Sequence, residues 1–189
     1  MNHLILIKHA MPQIDETKLS SNWQLSDPGR ASCKPLAHAL KSYKPDLFIT
    51  SEEPKARETG QAAAKHLQIP CSSAPNLHEH DRKGFAFEHD REIWHNTVQT
   101  FFNRPNDLIF GSETANQARD RFARAVENAV QKYPQQTIAI AAHGTVISLL
   151  VAHQTQTDGF DLWKKLNLPS FVVLDLPDCK LNTLVTQIG

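Results

Sequence analysis

The chain has 189 residues, enough for one domain with a sizeable core, and 40% of them are hydrophobic. Lysine and arginine together number 20, as do aspartate and glutamate, so the formal net charge is zero. This balance argues against the basic surface typical of proteins that bind nucleic acid or anionic membranes. We therefore expect neither a nucleic-acid nor a membrane partner.

The cysteines and the N-terminal residues indicate a compartment. Cys33, Cys71 and Cys179 are odd in number and widely spaced, which fits neither a disulfide framework nor a CxxC metal site. The first apolar run is too short for a signal-peptide core or a membrane span. We expect reduced thiols and a cytoplasmic protein. No pattern defines the oligomeric state, and a homodimer is compatible with the sequence.

Apolar runs and helical patterns alternate along the chain. The runs predict strands at 3–8, 47–50, 137–142, 171–174 and 181–188. Helical spacing predicts helices at 33–43, 56–67, 89–102, 115–129 and 145–154. Residues 12–28 and most of 78–105 have no regular pattern. The alternation predicts a single α/β domain over 1–189, with a mostly parallel sheet and helices on both faces.

Two of the predicted strands end in a histidine. Lys8-His9-Ala10 follows the apolar run Leu4–Ile7, and His143-Gly144 follows the run 137–142. In open α/β sheets, ligands bind in the crevice outside the carboxyl ends of the strands. We therefore expect the two histidines to meet in one site.

The residues near these strand ends suit phosphoryl transfer without a metal, which needs a nucleophile, cations around the phosphate oxygens and an acid for the leaving oxygen. Neutral His9 can attack phosphorus, with Lys8 beside it. Arg57, in the first turns of the helix after strand 47–50, could bind a phosphate in bidentate fashion. His143 precedes a helix whose first amides form a natural anion site.

Six short segments follow the order of one family pattern. That pattern contains Arg-His-Gly after a strand, Leu-Thr-x-x-Gly, Ser-x-x-x-Arg-x-x-x-Thr, Leu-x-Glu, Gly-Glu-Ser and His-Gly after a strand. The matching segments here are Leu6–Ala10, Leu25–Gly29, Ser51–Thr59, Leu77–Glu79, Gly111–Thr114 and His143-Gly144. In the third segment the nearest counterparts are Ser51, Arg57 and Thr59, at a slightly different spacing. On these segments the chain resembles the histidine phosphatase superfamily, which is phosphoglycerate mutase-like.

The resemblance implies a three-layer α/β/α sandwich and a site that needs no metal and no other cofactor. It implies a phosphate pocket formed by Lys8, His9, Arg57 and His143. It also implies that His9 becomes phosphorylated and that Glu79 protonates the leaving alcohol, with Asp81 as the alternative acid. Further candidate substrate contacts are Ser51, Asp81, Arg82 and Thr145.

Two residues depart from the family pattern. Lys8 stands where the family has arginine, and lysine keeps the charge but loses the planar fork that clamps two phosphate oxygens. Ala10 replaces the usual glycine and adds a methyl group near the phosphate. We expect weaker phosphate affinity than an arginine-containing pocket would give.

The function favoured by these residues is hydrolysis of a small phosphomonoester through a phosphohistidine on His9. The alternatives are a phosphoglycerate mutase-type phosphomutase and a non-catalytic, phosphate-binding regulatory protein. A metal-dependent hydrolase is a further alternative, because His78-x-His80-Asp81 looks like the start of a metallohydrolase signature. The sequence does not name the substrate, although Trp23, Phe85, Phe87 and Trp94 could wall the pocket against an apolar or aromatic leaving group.

Overall fold

The computed structural model describes residues 2–85 and 88–188, which are organised around one six-stranded sheet. The strands are β1 (His3–Lys8), β2 (Leu47–Thr50), β3 (Cys71–Ser73), β4 (Ile138–Ala142), β5 (Ser170–Asp175) and β6 (Lys180–Val185). The helices are α1 (Asp27–Leu40), α2 (Pro54–Leu67), α3 (Arg91–Asn103), α4 (Ala115–Lys132), α5 (Gly144–Thr155) and α6 (Gly159–Lys165). All the predicted strands and helices are present, and β3 and α6 are additional.

Helix starts follow ordinary capping chemistry. The Ser26 side chain accepts a hydrogen bond from the Gly29 amide, so α1 begins several residues before the predicted position. Thr114 and Gln117 form a reciprocal capping box at the start of α4. The long amphipathic helix that follows was the clearest helical pattern in the sequence.

The sheet has the order β3-β2-β4-β1-β5-β6. The first four strands in that order are parallel, whereas β5 pairs antiparallel with both β1 and β6. The predicted mostly parallel sheet therefore has an antiparallel edge. The reason is local, because β5 and β6 are joined by a four-residue turn, and so short a connection permits only an antiparallel pair.

Both faces of the sheet are covered by helices. Side chains alternate along β1, so Leu4 and Leu6 join the core beneath α3 to α6, while Ile5 and Ile7 join the core beneath α1 and α2. Strand β4 is buried throughout and divides in the same way. The result is the three-layer α/β/α sandwich that the family resemblance implied.

The register of the central strands positions the site. Lys8 pairs with Ala142 at the ends of β1 and β4, and the His9 amide donates to the Ala142 carbonyl over 3.1 Å. The Ser51 amide donates to Ala141 over 2.9 Å, so the end of β2 lies at the same level. Three polypeptide segments therefore leave the sheet side by side.

Within residues 2–85 and 88–188, no helix is both long and apolar enough to cross a bilayer. The thiols of the three cysteines are free.

We predict that Gly60→Ala destabilises the protein, because α2 packs very closely on the sheet at this position. A Cβ atom on Gly60 would lie 2.4 Å from Thr50 Cγ2 and 3.2 Å from Ala141 Cβ. Overpacking a core costs about 1–3 kcal/mol, which outweighs the gain of about 1 kcal/mol from replacing a helical glycine. Urea denaturation should show a free energy of unfolding lower by about 1–2 kcal/mol.

The exposed neighbour on the same helix provides the control. Gln61→Ala should change the free energy of unfolding by less than about 0.5 kcal/mol. A Gly60→Ala variant as stable as the wild type would show that α2 can move away from the sheet without cost.

Candidate active site

The structure brings His9 and His143 together where β1 and β4 end. Their ring centroids are 5.3 Å apart, with an angle of 63° between the ring planes. His9 Nδ1 lies 2.8 Å from the Ala10 carbonyl, which can only accept a hydrogen bond, so Nδ1 carries the proton and Nε2 has a free lone pair. Burial lowers the pKa of His9 well below its usual value, and the charges of His143 and Lys55 add to this effect. His9 is therefore a neutral imidazole with a nucleophilic Nε2.

His143 is fully buried and is bonded to the end of β2 through its Nε2. The Ser51 hydroxyl lies 2.9 Å from His143 Nε2 and accepts a hydrogen bond from the Glu53 amide over 3.2 Å. This contact fixes the His143 ring through Nε2 and leaves Nδ1 as its second polar atom. This Nδ1 has no hydrogen-bond partner within the described residues and lies 3.8 Å from Glu53 Oε2. Burial, followed by the charge of Lys55, lowers the pKa of His143 well below its usual value.

Lys8 brings a partly buried cation to the same place. Its Nζ donates to the Leu166 carbonyl over 2.6 Å, which ties the end of β1 to the segment that follows α6. Burial lowers the pKa of Lys8 to about 8. A Cβ atom on residue 144 would lie 3.0 Å from Lys8 Cε, so Gly144 gives this side chain the room it needs.

The second cation of the cavity is Lys55, and this corrects the expected role of Arg57. Arg57 is exposed on α2, where it makes only a long contact of 3.4 Å with the Glu52 carbonyl. Lys55 is 5% exposed and lines the cavity beside His9. The spacing contained the signal, because Ser51, Lys55 and Thr59 stand four residues apart, as in the family pattern. The nearby arginine at position 57 masked this signal.

Glu53 is a central residue of the site that the sequence analysis missed. Its Oε2 pairs with Lys55 Nζ at 2.5 Å, and its Oε1 accepts from the Glu79 amide over 2.9 Å. It therefore balances the buried charge of Lys55 and orients the segment that carries Glu79. The Lys55 ammonium also donates to the Ser20 carbonyl over 2.6 Å.

Glu79 lies at the start of α5. Its carboxylate accepts from the amides of Thr145 and Val146 at 3.2 and 3.3 Å, and from the His80 amide at 2.9 Å. Burial acts to raise the pKa of Glu79, but the charge of Arg82, then His143 and the amide donors, together lower it to about 2. Glu79 is therefore ionised at neutral pH.

Arg121, on α4, fixes the backbone around Glu79. Its guanidinium donates to the carbonyls of Asn76, His78 and Glu79 at 3.0–3.1 Å. It also forms a two-pronged pair with Glu113, with distances of 2.5 and 3.1 Å. The otherwise irregular segment before α3 is thus held in one conformation by a residue some forty positions away in sequence.

The other expected substrate contacts divide into two groups. Arg82 lines the cavity, and its NH2 lies 3.7 Å from Glu79 Oε2. Ser51 and Thr145 are buried beside the histidine and at the start of α5, and neither lines the cavity directly. Asp81 is directed away from the cavity, because its carboxylate accepts from the Ser112 hydroxyl over 2.6 Å and from the Lys83 amide.

The segment that resembles the start of a metallohydrolase signature is used for packing. His80 Nε2 is bonded to the Glu113 carbonyl at 2.9 Å, and its ring packs against Phe101 and Phe110. Among the described residues, no group of three or more His, Cys, Asp or Glu side chains is arranged to hold a metal ion.

The cavity between these residues has a volume of about 180 Å³. Beyond the charged groups it is lined by Trp23 and Trp94, as the sequence analysis suggested, and by Trp163, which that analysis did not identify. Phe85 does not line the cavity but packs against Trp94, with 6.3 Å between ring centroids. Phe87 lies outside the described residues.

Comparison with known families gives this geometry a context. Residues 4–186 match the histidine phosphatase superfamily, branch 1. The chain belongs to this superfamily, and by family it is a histidine phosphatase.

Relatives and solved structures are similar over most of the chain. The adenosylcobalamin/alpha-ribazole phosphatase of Salmonella typhimurium is 24% identical over 168 residues, which cover 85% of this chain and 83% of the relative. The alpha-ribazole phosphatase structure from Shigella flexneri has a TM-score of 0.75 at 21% identity and covers 99% of this chain and 98% of that one. A mycobacterial glucosyl-3-phosphoglycerate phosphatase has a TM-score of 0.74 at 16% identity and covers 100% of this chain and 99% of its own. At these identities, the two structures establish the fold.

We predict that Lys55→Met weakens the binding of inorganic phosphate at least about tenfold, because it removes a buried charge next to His9. The matched variant Arg57→Met, two residues away on the same helix, should bind phosphate within about twofold of the wild type, because Arg57 points to solvent. Isothermal titration calorimetry measures both affinities.

Loss of Lys55 also leaves the Glu53 carboxylate buried without its partner, which costs about 3–5 kcal/mol of stability. The double variant Lys55→Met/Glu53→Gln separates the two effects, since it should recover stability but not phosphate affinity. Equal phosphate affinity in the Lys55 and Arg57 single variants would contradict the assignment.

Proposed function

We propose that the protein hydrolyses a small phosphomonoester through a phosphohistidine intermediate on His9, without a metal. The observation that carries this proposal is the state of His9. It is a neutral imidazole with a free Nε2, at a cavity lined by Lys8, Lys55 and Arg82. Three cations around one unprotonated imidazole suit a nucleophile that attacks a phosphate dianion.

In the first step, the Nε2 lone pair of His9 forms a bond to phosphorus while the bond from phosphorus to the leaving oxygen breaks. Lys8 and Lys55 offset the charge on the non-bridging oxygens, where positioning and electrostatics provide most of the catalysis. His143, whose ring lies 5.3 Å from that of His9, is a further candidate donor to these oxygens. The hydrogen bond to Ala10 holds the His9 ring in the required tautomer.

Glu79 transfers the protons in this scheme. With a pKa of about 2 it has no proton to give in the empty cavity. The arriving phosphate dianion places like charge beside the carboxylate, which raises its pKa and lets it take up a proton. Glu79 then donates this proton to the leaving oxygen, so the alcohol departs neutral.

The second step uses the ionised carboxylate that remains. Glu79 takes a proton from water, the water oxygen bonds to phosphorus, and the bond from His9 to phosphorus breaks. Inorganic phosphate leaves and the imidazole lone pair is restored. The relatives named as phosphatases of small phosphate esters support this reaction class. The particular substrate is a separate question.

We predict that His9→Ala lowers turnover of an aryl phosphate at least about 1,000-fold, because the nucleophile is lost. Activity of the wild type should persist in the presence of chelator. His153→Ala, an exposed histidine on α5, is the control and should retain full activity. Brief incubation with labelled substrate should trap acid-labile, alkali-stable phosphate on the wild type but not on His9→Ala.

The fate of the phosphoryl group separates the alternatives. Release of one inorganic phosphate for each alcohol supports hydrolysis, whereas transfer to a second phosphorylated metabolite would identify a phosphomutase. Turnover that stops with chelator would contradict the metal-free scheme. Phosphate binding without turnover of any ester would leave the non-catalytic binding protein as the function.

We predict that kcat/KM falls above pH 8, because a pKa of about 8 means that Lys8 progressively loses its positive charge there. His9 has a pKa well below 6.5 and stays neutral throughout this range, so it does not contribute to the fall. The decline should approach about tenfold per pH unit. In Lys8→Arg it should disappear up to about pH 10, because a guanidinium stays charged.

The exposed lysine of α1 is the matched control, and Lys34→Arg should keep the alkaline decline. Rate profiles between pH 6.5 and 9.5 test both variants. An unchanged decline in Lys8→Arg would assign the titration to another group.

A further inference from the structure

The chain has three tryptophans, and all three line the candidate active-site cavity. They come from separate parts of the fold. Trp23 follows the short helical turn Ser20–Asn22, Trp94 is on α3 and Trp163 is on α6. Folding therefore gathers them around one cavity, together with the cations of the site.

Apart from its charged groups, His9 and the indole N–H groups, this lining has few hydrogen-bonding side chains. Pro12 and Leu168 complete it, and among the lining residues that the structure describes, Ser20 is the only uncharged side chain with a hydroxyl or amide group. A leaving group with several hydroxyls would give up its bonds to water here without replacing them. This wall suits a leaving group that is largely apolar.

The rings are held in place by their neighbours. Trp163 stacks on Phe160, with centroids 5.8 Å apart and an interplanar angle of 12°. Trp94 makes an edge contact with Phe110 at 5.5 Å, and the Arg82 guanidinium lies 4.7 Å from its ring centroid. Trp94 and Trp163 also touch each other, at 6.4 Å and 65°. A ligand would meet an aromatic surface that is already ordered, which reduces the entropy lost on binding.

Core packing alone does not explain this arrangement. Trp94 and Trp163 remain partly exposed, although residues of their size are among the most strongly driven to bury apolar area. At about 180 Å³, the cavity is smaller than the pockets of 300–1,000 Å³ typical of drug-sized ligands. It therefore fits a phosphate group with one compact ring better than a large sugar.

We propose that the leaving group of the substrate carries a planar aromatic ring that packs against Trp94 and Trp163. This inference rests on the proposed phosphomonoester hydrolysis and specifies its substrate class. Arg82 would then lie between the aromatic ring and the phosphate group of the substrate, because it contacts both the Trp94 ring and Glu79.

The test compares 2-phenylethyl phosphate with 2-cyclohexylethyl phosphate. Both are primary alkyl esters with similarly acidic alcohols, so the comparison isolates aromaticity from leaving-group chemistry and from bulk apolarity. We expect kcat/KM to favour the phenyl ester by about fivefold, the size of a favourable ring-to-ring contact. Glycerol 3-phosphate, which has two free hydroxyls, should be the poorest of the three substrates.

Substitution at the two tryptophans should abolish this preference. Trp94→Leu and Trp163→Leu should bring the ratio of the two ring esters close to one, whereas Trp94→Phe and Trp163→Phe should keep most of it. The ratio is insensitive to the fraction of folded enzyme, so partial unfolding does not imitate the result. Tyr133→Leu, at a partly exposed aromatic residue that does not line this cavity, should leave the ratio unchanged.

Equal kcat/KM for the two ring esters in the wild type, or a ratio that survives both leucine substitutions, would overturn the inference while leaving hydrolysis intact. If none of the esters is hydrolysed, the proposed function fails instead. Calorimetric titration with 2-phenylethylphosphonate and 2-cyclohexylethylphosphonate then tests the aromatic wall alone. Tighter binding of the phenyl compound supports it, and equal affinity contradicts it.

Discussion

Buried positive charge is the constraint on which the site depends. Lys55 is buried and Lys8 is partly buried, and removing a cation from water is costly unless a partner replaces the solvent. The protein supplies such partners itself. A main-chain carbonyl accepts from Lys8, the Glu53 carboxylate pairs with Lys55, and Glu79 lies near Arg82. An arriving phosphate would compete with these internal partners, so its affinity is a difference between two sets of contacts.

The geometry of the sheet brings these charged residues together. Strands β1, β2 and β4 are parallel and end at one level, so the residues that follow them leave the core together. Helices α2 and α5 then begin at that edge. Helix α2 brings Lys55, and α5 brings the two backbone amides that donate hydrogen bonds to the Glu79 carboxylate. On the same face as α5, the segment that follows α6 reaches the site through the hydrogen bond from Lys8 Nζ to the Leu166 carbonyl. The cavity is thus shared between the central sheet and both helical layers.

Much of this could be predicted from the sequence, and the remainder shows where such reasoning stops. Short, mostly apolar runs define strands such as β2, which is buried throughout, whereas β3 has three exposed residues and no apolar signal. Strand ends and motif order placed His9 and His143 correctly relative to the sheet. The spacing of Ser51, Lys55 and Thr59 predicts a site cation at position 55, but the family pattern has arginine there and this chain has lysine. Trp163 was not readable, since only tertiary packing brings residue 163 beside residue 9.

The presence of lysine rather than arginine at Lys8 has a chemical consequence beyond anion binding. Because burial lowers the pKa of Lys8 to about 8, a larger share of this side chain is a free amine near neutral pH than for an ordinary lysine. A free amine reacts with carbonyl compounds, and a guanidinium does not do so under the same conditions. The amine adds to the carbonyl carbon of an aldehyde, and loss of water then gives a Schiff base. Lysine in place of arginine at position 8 thereby gives the protein an amine that reacts more readily with carbonyl compounds than its other lysines.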